Sequence, residues 1–190
     1  MSIFEISMAD IDYILGYLGK NVLVNGNPAR ALISNTALNL EYDDKKIATI
    51  EPIHAGDIVE FDGFKFIILS EINGPRGKMY KALMRRCNAI MHIKTGEEQI
   101  LKGYTEWGEP VYEIIPIYSD LPIFMTQKAI DIEGNTIMLP TGRINVIMQA
   151  VDCPAIAINA TFEADGKQWK IIDVDKTKAG IYRITAERDI

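Results

Sequence analysis

Histidine and cysteine are scarce in this chain, each occurring twice among 190 residues. These side chains most often supply acid–base, nucleophilic and metal chemistry. His54 falls in a turn-like stretch and His92 in a strand-like one. Neither stands at metal-ligand spacing from a cysteine or from the other, so both read as structural. Cys87 and Cys153 lie far apart beside strand-like residues and read as buried free thiols. Cys-x-x-Cys pairs, Walker-type glycine loops, dinucleotide fingerprints and Gly-x-Ser-x-Gly elbows are all missing, which removes the common nucleotide, redox and hydrolase signatures. No apolar run approaches the roughly 20 residues that span a bilayer, so no membrane role is expected. Met1-Ser2-Ile3-Phe4-Glu5 lacks the basic start and apolar core of a secretory signal. Synthesis in a reducing cytoplasm is expected, and release inside a larger particle needs no signal. A basic surplus is lacking too: 20 Lys and Arg face 26 Asp and Glu, a net charge of −6. That balance argues against a general nucleic-acid binder. The local basic group Lys78, Lys81, Arg85 and Arg86 reads as a solvated strand edge.

What the chain does have is an internal repeat. Val59-Glu60-Phe61-Asp62-Gly63-Phe64-Lys65-Phe66-Ile67-Ile68-Leu69 precedes Tyr80-Lys81, and Phe162-Glu163-Ala164-Asp165-Gly166-Lys167-Gln168-Trp169-Lys170-Ile171-Ile172 precedes Tyr182-Arg183. Glu60 matches Glu163, Asp62-Gly63 matches Asp165-Gly166, and Phe66 matches Trp169. Asp-Gly between alternating apolar residues marks a tight hairpin, because both positions tolerate positive φ. Each copy thus predicts a hairpin, a polar loop and a third strand carrying the Tyr.

Other segments follow the same style. Ser7 with Asp10 resembles a capping box, and Ile11, Ile14, Leu15 and Leu18 recur at helical spacing before Gly19, predicting one helix over about 8 to 19. Asn25-Gly26 predicts another tight hairpin. Thr95-Gly96-Glu97 reads as a further hairpin turn, and Leu121 to Met125 as a short edge strand. Pro116 places Val111 to Tyr118 at an edge or bend. Dense short strands with frequent turns predict a mainly β protein: two small antiparallel β-barrel or sandwich units with a related hairpin in each, plus one short N-terminal helix. The helix and first unit are assigned to residues 1–100 and the second unit to 101–190, with the boundary near 95–105.

Candidate chemistry is thin. Asp173 with Asp175, and Asp131 with Glu133, alternate along strands and would share a face, as a cation or acid–base site requires. They also read as the wet ends of strands. Trp107 sits between Glu106 and Gly108-Glu109 with Tyr104 nearby, an aromatic loop suited to a protein interface or a sugar ring. No catalytic, cofactor-binding or metal residues are assigned.

Three stretches carry a family likeness: Ala55-Gly56-Asp57 through Phe66-Ile67-Ile68-Leu69 to the Tyr80 strand; Arg85-Arg86-Cys87-Asn88 at a strand start; and Arg143-Ile144-Asn145-Val146-Ile147-Met148 with Phe162 to Ile172 and Val174 to Thr185. In these the chain resembles structural proteins of tailed bacteriophages and prophages of Gram-positive hosts, encoded with head and neck genes. It departs from them in Ala89-Ile90-Met91-His92-Ile93, where an aromatic-rich strand is usual, and in Gly103 to Lys128, which matches nothing in the group. The resemblance implies a non-enzymatic virion protein at the head–tail connection (neck, stopper or adaptor). It also implies a homo-oligomeric ring whose partners are copies of itself and portal, neck or tail proteins, with DNA as passing cargo. Contact residues are then expected on the helix at Ile11 and Leu15, on the loop at Asn73, Arg76 and Lys78, and on the segment with Tyr104 and Trp107. The alternatives are a tail-tip carbohydrate- or host-surface-binding module, or a small hydrolase using two of Asp131, Glu133, Asp173 and Asp175.

Overall fold

The structure, a computed structural model, describes residues 8–36, 42–73, 79–132, 135–138, 142–151 and 156–188. One helix, α1 (Met8–Leu18), opens it. Ile11 and Leu15, one turn apart, are buried on its inner face, which packs against the second strand. The helix stops where Gly19 N–H donates to the Leu15 carbonyl at 2.9 Å; a Cβ at Gly19 would lie 2.2 Å from that oxygen. Ser7, the expected cap, lies outside the described residues.

Six strands follow: β1 (Lys20–Val24), β2 (Asn27–Asn35), β3 (Asp44–Thr49), β4 (Ile58–Phe61), β5 (Phe64–Asn73) and β6 (Tyr80–Arg86). They close into an antiparallel barrel in the order β1-β2-β3-β6-β5-β4. Side chains on a strand alternate between faces, so alternate residues fill the interior. Val22, Ala31, Ile47, Val59, Phe66, Ile68 and Met84 form its buried core. Each large aliphatic or aromatic side chain buried there contributes about 1.5–3 kcal/mol.

Six further strands repeat the design: β7 (Ala89–Tyr104), β8 (Pro110–Thr126), β11 (Arg143–Gln149), β12 (Thr161–Ala164), β13 (Lys167–Asp175) and β14 (Ile181–Arg188). Their order, β11-β14-β13-β12-β7-β8, is again a closed barrel. Taken in chain order, the first strand pairs with the second and fourth, and the third with the sixth, in both barrels. The topology is therefore the same. A two-stranded sheet of β9 (Lys128–Ile132) and β10 (Asn135–Met138) stands apart from either barrel. By contact the chain divides after Asn88: the first unit is Met1–Asn88 with Met148–Ala150 and Lys176–Tyr182, and the remainder forms the second.

The predicted hairpins form. Asn25-Gly26, Asp62-Gly63 and Asp165-Gly166 each place two successive residues at positive φ (49° and 80°, 53° and 77°, 53° and 65°), the conformation that twists with the flanking strands. Two strand predictions are corrected. Thr95-Gly96-Glu97 is no turn: β7 runs straight through it, with a register shift between Lys94 and Gly96 that makes Thr95 a bulge. The chain reverses at Thr105–Glu109 instead, closed by Gly108 N–H to the Thr105 carbonyl at 2.9 Å with Gly108 at φ 79°. Leu121 to Met125 is not a separate strand but the continuation of β8.

The repeat extends beyond the matching side chains. In the first barrel Gly56 N–H donates to the Ile68 carbonyl (2.8 Å), Ile68 N–H to Asp57 (2.9 Å), and Asp57 N–H to His54 (3.1 Å). In the second, Asn159 donates to Ile171 (2.8 Å), Ile171 to Ala160 (2.9 Å), and Ala160 to Ala157 (3.1 Å). A β-bulge then falls at Leu69 in one and at Ile172 in the other.

Candidate assembly surface

Of the expected contact residues, Ile11 and Leu15 lie in the interior of the fold. The opposite face of α1 exposes Tyr13 and Tyr17, whose rings stack with centroids 6.5 Å apart. Asn73 ends β5, paired with Tyr80; Arg76 and Lys78 lie outside the described residues. Tyr104 and Trp107 stand at the end of the β7–β8 hairpin, and Trp107 is 91% exposed.

The remaining polar candidates serve local structure. Asp57 accepts from His54 N–H at 2.7 Å and from Asn25 Nδ2 at 2.8 Å, while Asn25 Oδ1 accepts from Ile58 N–H at 2.9 Å, so these two residues tie the first turn to β4. His92 Nδ1 lies 2.7 Å from Asp120 Oδ1, and its ring stacks on Tyr118. Arg85 donates twice to Asp44 at 2.8 Å, and the Arg86 guanidinium lies 3.6 Å from the Phe64 ring centre. Two members of the basic group are thus engaged within the fold, and Lys81 is exposed. Asp173 and Asp175 face Thr185 and Arg183 across the ladder. The side chain of Asp131 and all of Glu133 lie outside the described residues. Burial pushes the Cys87 thiol up to about 12, against a weaker opposing pull from Lys65, so it remains protonated. Cys153 is not among the described residues.

The largest unexpected feature is the β7–β8 hairpin itself. Within the barrel, β12 pairs with β7 only at Met91 and His92, and β11 pairs with β8 only at Phe124 to Thr126. From Lys94 opposite Tyr118 outward to Tyr104 opposite Pro110, the two strands pair with each other alone among the described residues. This ribbon is about 35 Å long at the usual rise per residue. Paired residues share a face. One face carries the apolar Ile100, Val111, Ile115 and Ile117 beside Glu98 and Glu113, in line with the barrel interior; the other carries the apolar Leu101, Tyr104, Tyr112, Ile114 and Tyr118 beside Lys94, Glu97 and Gln99. All nine apolar side chains are exposed.

A two-stranded ribbon is marginal in water, and one with large apolar side chains exposed on both faces is costlier still to leave uncovered. Its edges are blunted. Pro110, Pro116 and Pro122 share one parity on β8, so their missing N–H groups fall along a single edge, and an intact ladder requires that edge to be the outer one. On β7, Thr95 and Lys102 sit at bulges that twist the other edge away. Edge-to-edge strand addition is thereby discouraged, and the faces are left as the contact surfaces. The expectation from sequence located the tip, Tyr104 and Trp107, but missed the shaft. The signal was the nearly unbroken apolar run Val111 to Tyr118 punctuated by proline.

Among the described residues no helix is long and apolar enough to cross a membrane. In comparisons with known proteins, the family model described as the YomX N-terminal domain matches residues 2–86, and that of the YomX C-terminal domain matches residues 89–187. The name is of the Bacillus phage and prophage type, consistent with a phage protein. Among curated proteins none matches. Of solved structures, MrkH of K. pneumonia in its apo state shows 10% identity over 96% of this chain and 83% of that one, with a TM-score of 0.26. The MrkH–c-di-GMP complex shows 11% identity over 98% and 88%, with a TM-score of 0.27. At TM-scores this low nothing is carried over to this chain.

Proposed function

The chain belongs to the YomX family through both of its domains, and from that membership we propose that it is a non-enzymatic structural protein of a tailed-phage particle, a head–tail connector subunit that assembles into a ring. The observation that carries the structural reading is the β7–β8 arm, with large apolar side chains exposed on both faces and both edges blunted. An exposed apolar surface of this extent marks a contact with another macromolecule. A rigid barrel with a long ribbon suits a subunit that reaches into a neighbour. In a ring each copy uses two different surfaces, and the arm supplies one of them. The acidic balance suits a channel along which DNA slides without being gripped.

A second reading is favoured by one feature. Trp107, with Tyr104 close by in sequence, is presented at the tip as an aromatic platform, and such platforms stack on sugar rings. A tail-tip carbohydrate-binding module would use them so.

Purified particles decide between the two. Mass spectrometry is expected to find the chain in the particle, and gold-labelled antibody to mark the head–tail junction. Label at the tail tip would favour the saccharide-binding reading, and absence from particles would overturn the structural one.

A further inference from the structure

The first barrel carries a surface that suits the arm of another copy. On its outer face, the pairs Leu32–Ala48, Ala48–Lys81 and Lys46–Leu83 bring Leu32, Ala48 and Leu83 together between two lysines. They line a concavity of about 580 Å³. Lys46 and Lys81 are exposed and have no carboxylate partner among the described residues. The corresponding face of the second barrel differs in kind. There Thr185 takes the place of Leu83 and donates to Asn145 Oδ1 at 3.2 Å, and Arg143 pairs with Glu187 at 3.6 Å. An apolar floor between unpaired cations is therefore not a requirement of the fold, since the same architecture closes with a polar, self-satisfied face.

The tip of the arm has the complementary character. Trp107 is flanked by Glu106 and Glu109, whose carboxylates are in no ion pair among the described residues, whereas Lys102 of the shaft is paired with Glu113 at 3.0 Å. We propose that the Trp107 tip of one copy docks on the Leu32–Ala48–Leu83 face of a second copy, with Glu106 and Glu109 beside Lys46 and Lys81. The contact is head-to-tail, arm to first barrel, so it propagates from copy to copy and closes into a ring if the rotation permits. This inference rests on the ring reading above and names the two surfaces that make it. Trp is enriched among the residues that dominate binding energy at interfaces.

The test uses the full chain in sedimentation equilibrium, followed in parallel by tryptophan emission. Trp169 is buried, so a blue shift on association reports Trp107. The wild-type chain is expected to associate with that shift. Glu106→Lys with Glu109→Lys in one variant, and Lys46→Glu with Lys81→Glu in another, should each weaken association by about tenfold or more through like-charge contact. An equimolar mixture of the two variants should recover it, because every arm then meets a groove of opposite sign. All four positions are exposed, and unchanged thermal melts confirm folding. Wild-type-like association of either variant, or a mixture no stronger than its components, overturns the docking. Association without a Trp107 shift also overturns it, yet leaves the ring reading standing. A chain monomeric at every concentration overturns it as well, and the connector role is then judged by particle labelling alone.

Discussion

In the first barrel the opening hairpin turns back at Asn25-Gly26 after a five-residue strand. In the second, the topologically equivalent hairpin runs 16 residues out and 17 back. Both barrels close in the same strand order, so closure needs only the base of that hairpin. Everything beyond Lys94 and Tyr118 is surplus to the fold. The residues placed there include large exposed apolar side chains on both faces, which a surplus loop at the surface of a monomer would avoid. The contrast separates two kinds of side chain in one chain: those that build a barrel, present twice, and those of the arm, which neither barrel needs to close, present once.

The largest expected effects lie in the two cores. Phe66 and Trp169 hold equivalent buried positions, and truncation of either to Ala is expected to cost about 3–5 kcal/mol in the unfolding of its own barrel. Trp169→Ala should be the more damaging, because the larger ring leaves more space and the hydrogen bond from its Nε1 to the Ala164 carbonyl at 3.1 Å is lost with it. Denaturant titrations in which one of these substitutions costs under about 1 kcal/mol would end the claim that the positions are equivalent.

A smaller effect separates the turns that precede the repeated hairpins. Gly56 (φ 92°) and Asn159 (φ 72°) occupy the same place in the backbone pattern. A Cβ on Gly56, however, would lie 1.7 Å from the carbonyl oxygen of Gly180, a residue of the same unit. Gly56→Asn should therefore cost about 3 kcal/mol, whereas Asn159→Gly should stay within about 0.5 kcal/mol, since glycine adopts the left-handed region freely. Thermal melts of the two variants measure the asymmetry directly.

These turns also mark the limit of what the sequence discloses. Asp62-Gly63 and Asp165-Gly166 were legible because a tight turn restricts residue type. Of the hydrogen-bonded turns before them, His54-Ala55-Gly56-Asp57 was legible through its glycine, and Ala157-Ile158-Asn159-Ala160 was not: the two share no side chain, and backbone donors and acceptors require none. Thr95-Gly96 misled because a glycine in a polar stretch resembles a turn, and here it accompanies a bulge. In the candidate site, Trp107 and Tyr104 stood out as aromatics among acids and glycine. The shaft did not, because Val, Ile and Tyr in a strand read as core unless the neighbouring strands are known to be missing. Ile11 and Leu15 showed a helix face that must be covered, and the first barrel covers it.

The smallest expected effect concerns Cys87, at the junction where the first unit ends. With its thiol pushed up to about 12 by burial, against 9.0 for the free side chain, it should resist alkylation at neutral pH until the chain unfolds. Below pH 9 both folded and unfolded states keep the proton, and stability is unaffected by this group. Between about 9 and 12 only the unfolded state releases it, so stability should fall as pH rises through that window. Cys87→Ser should flatten the decline.

Two properties are expected of the arm: folding does not need it and assembly does. The most direct measurement is sedimentation of a chain in which residues 95–117 are replaced by a short Asn-Gly turn, beside the wild type. A truncated chain that melts within a few degrees of the parent, stays monomeric and gains solubility is the predicted result. Loss of the folded state, or association equal to that of the wild type, would contradict it.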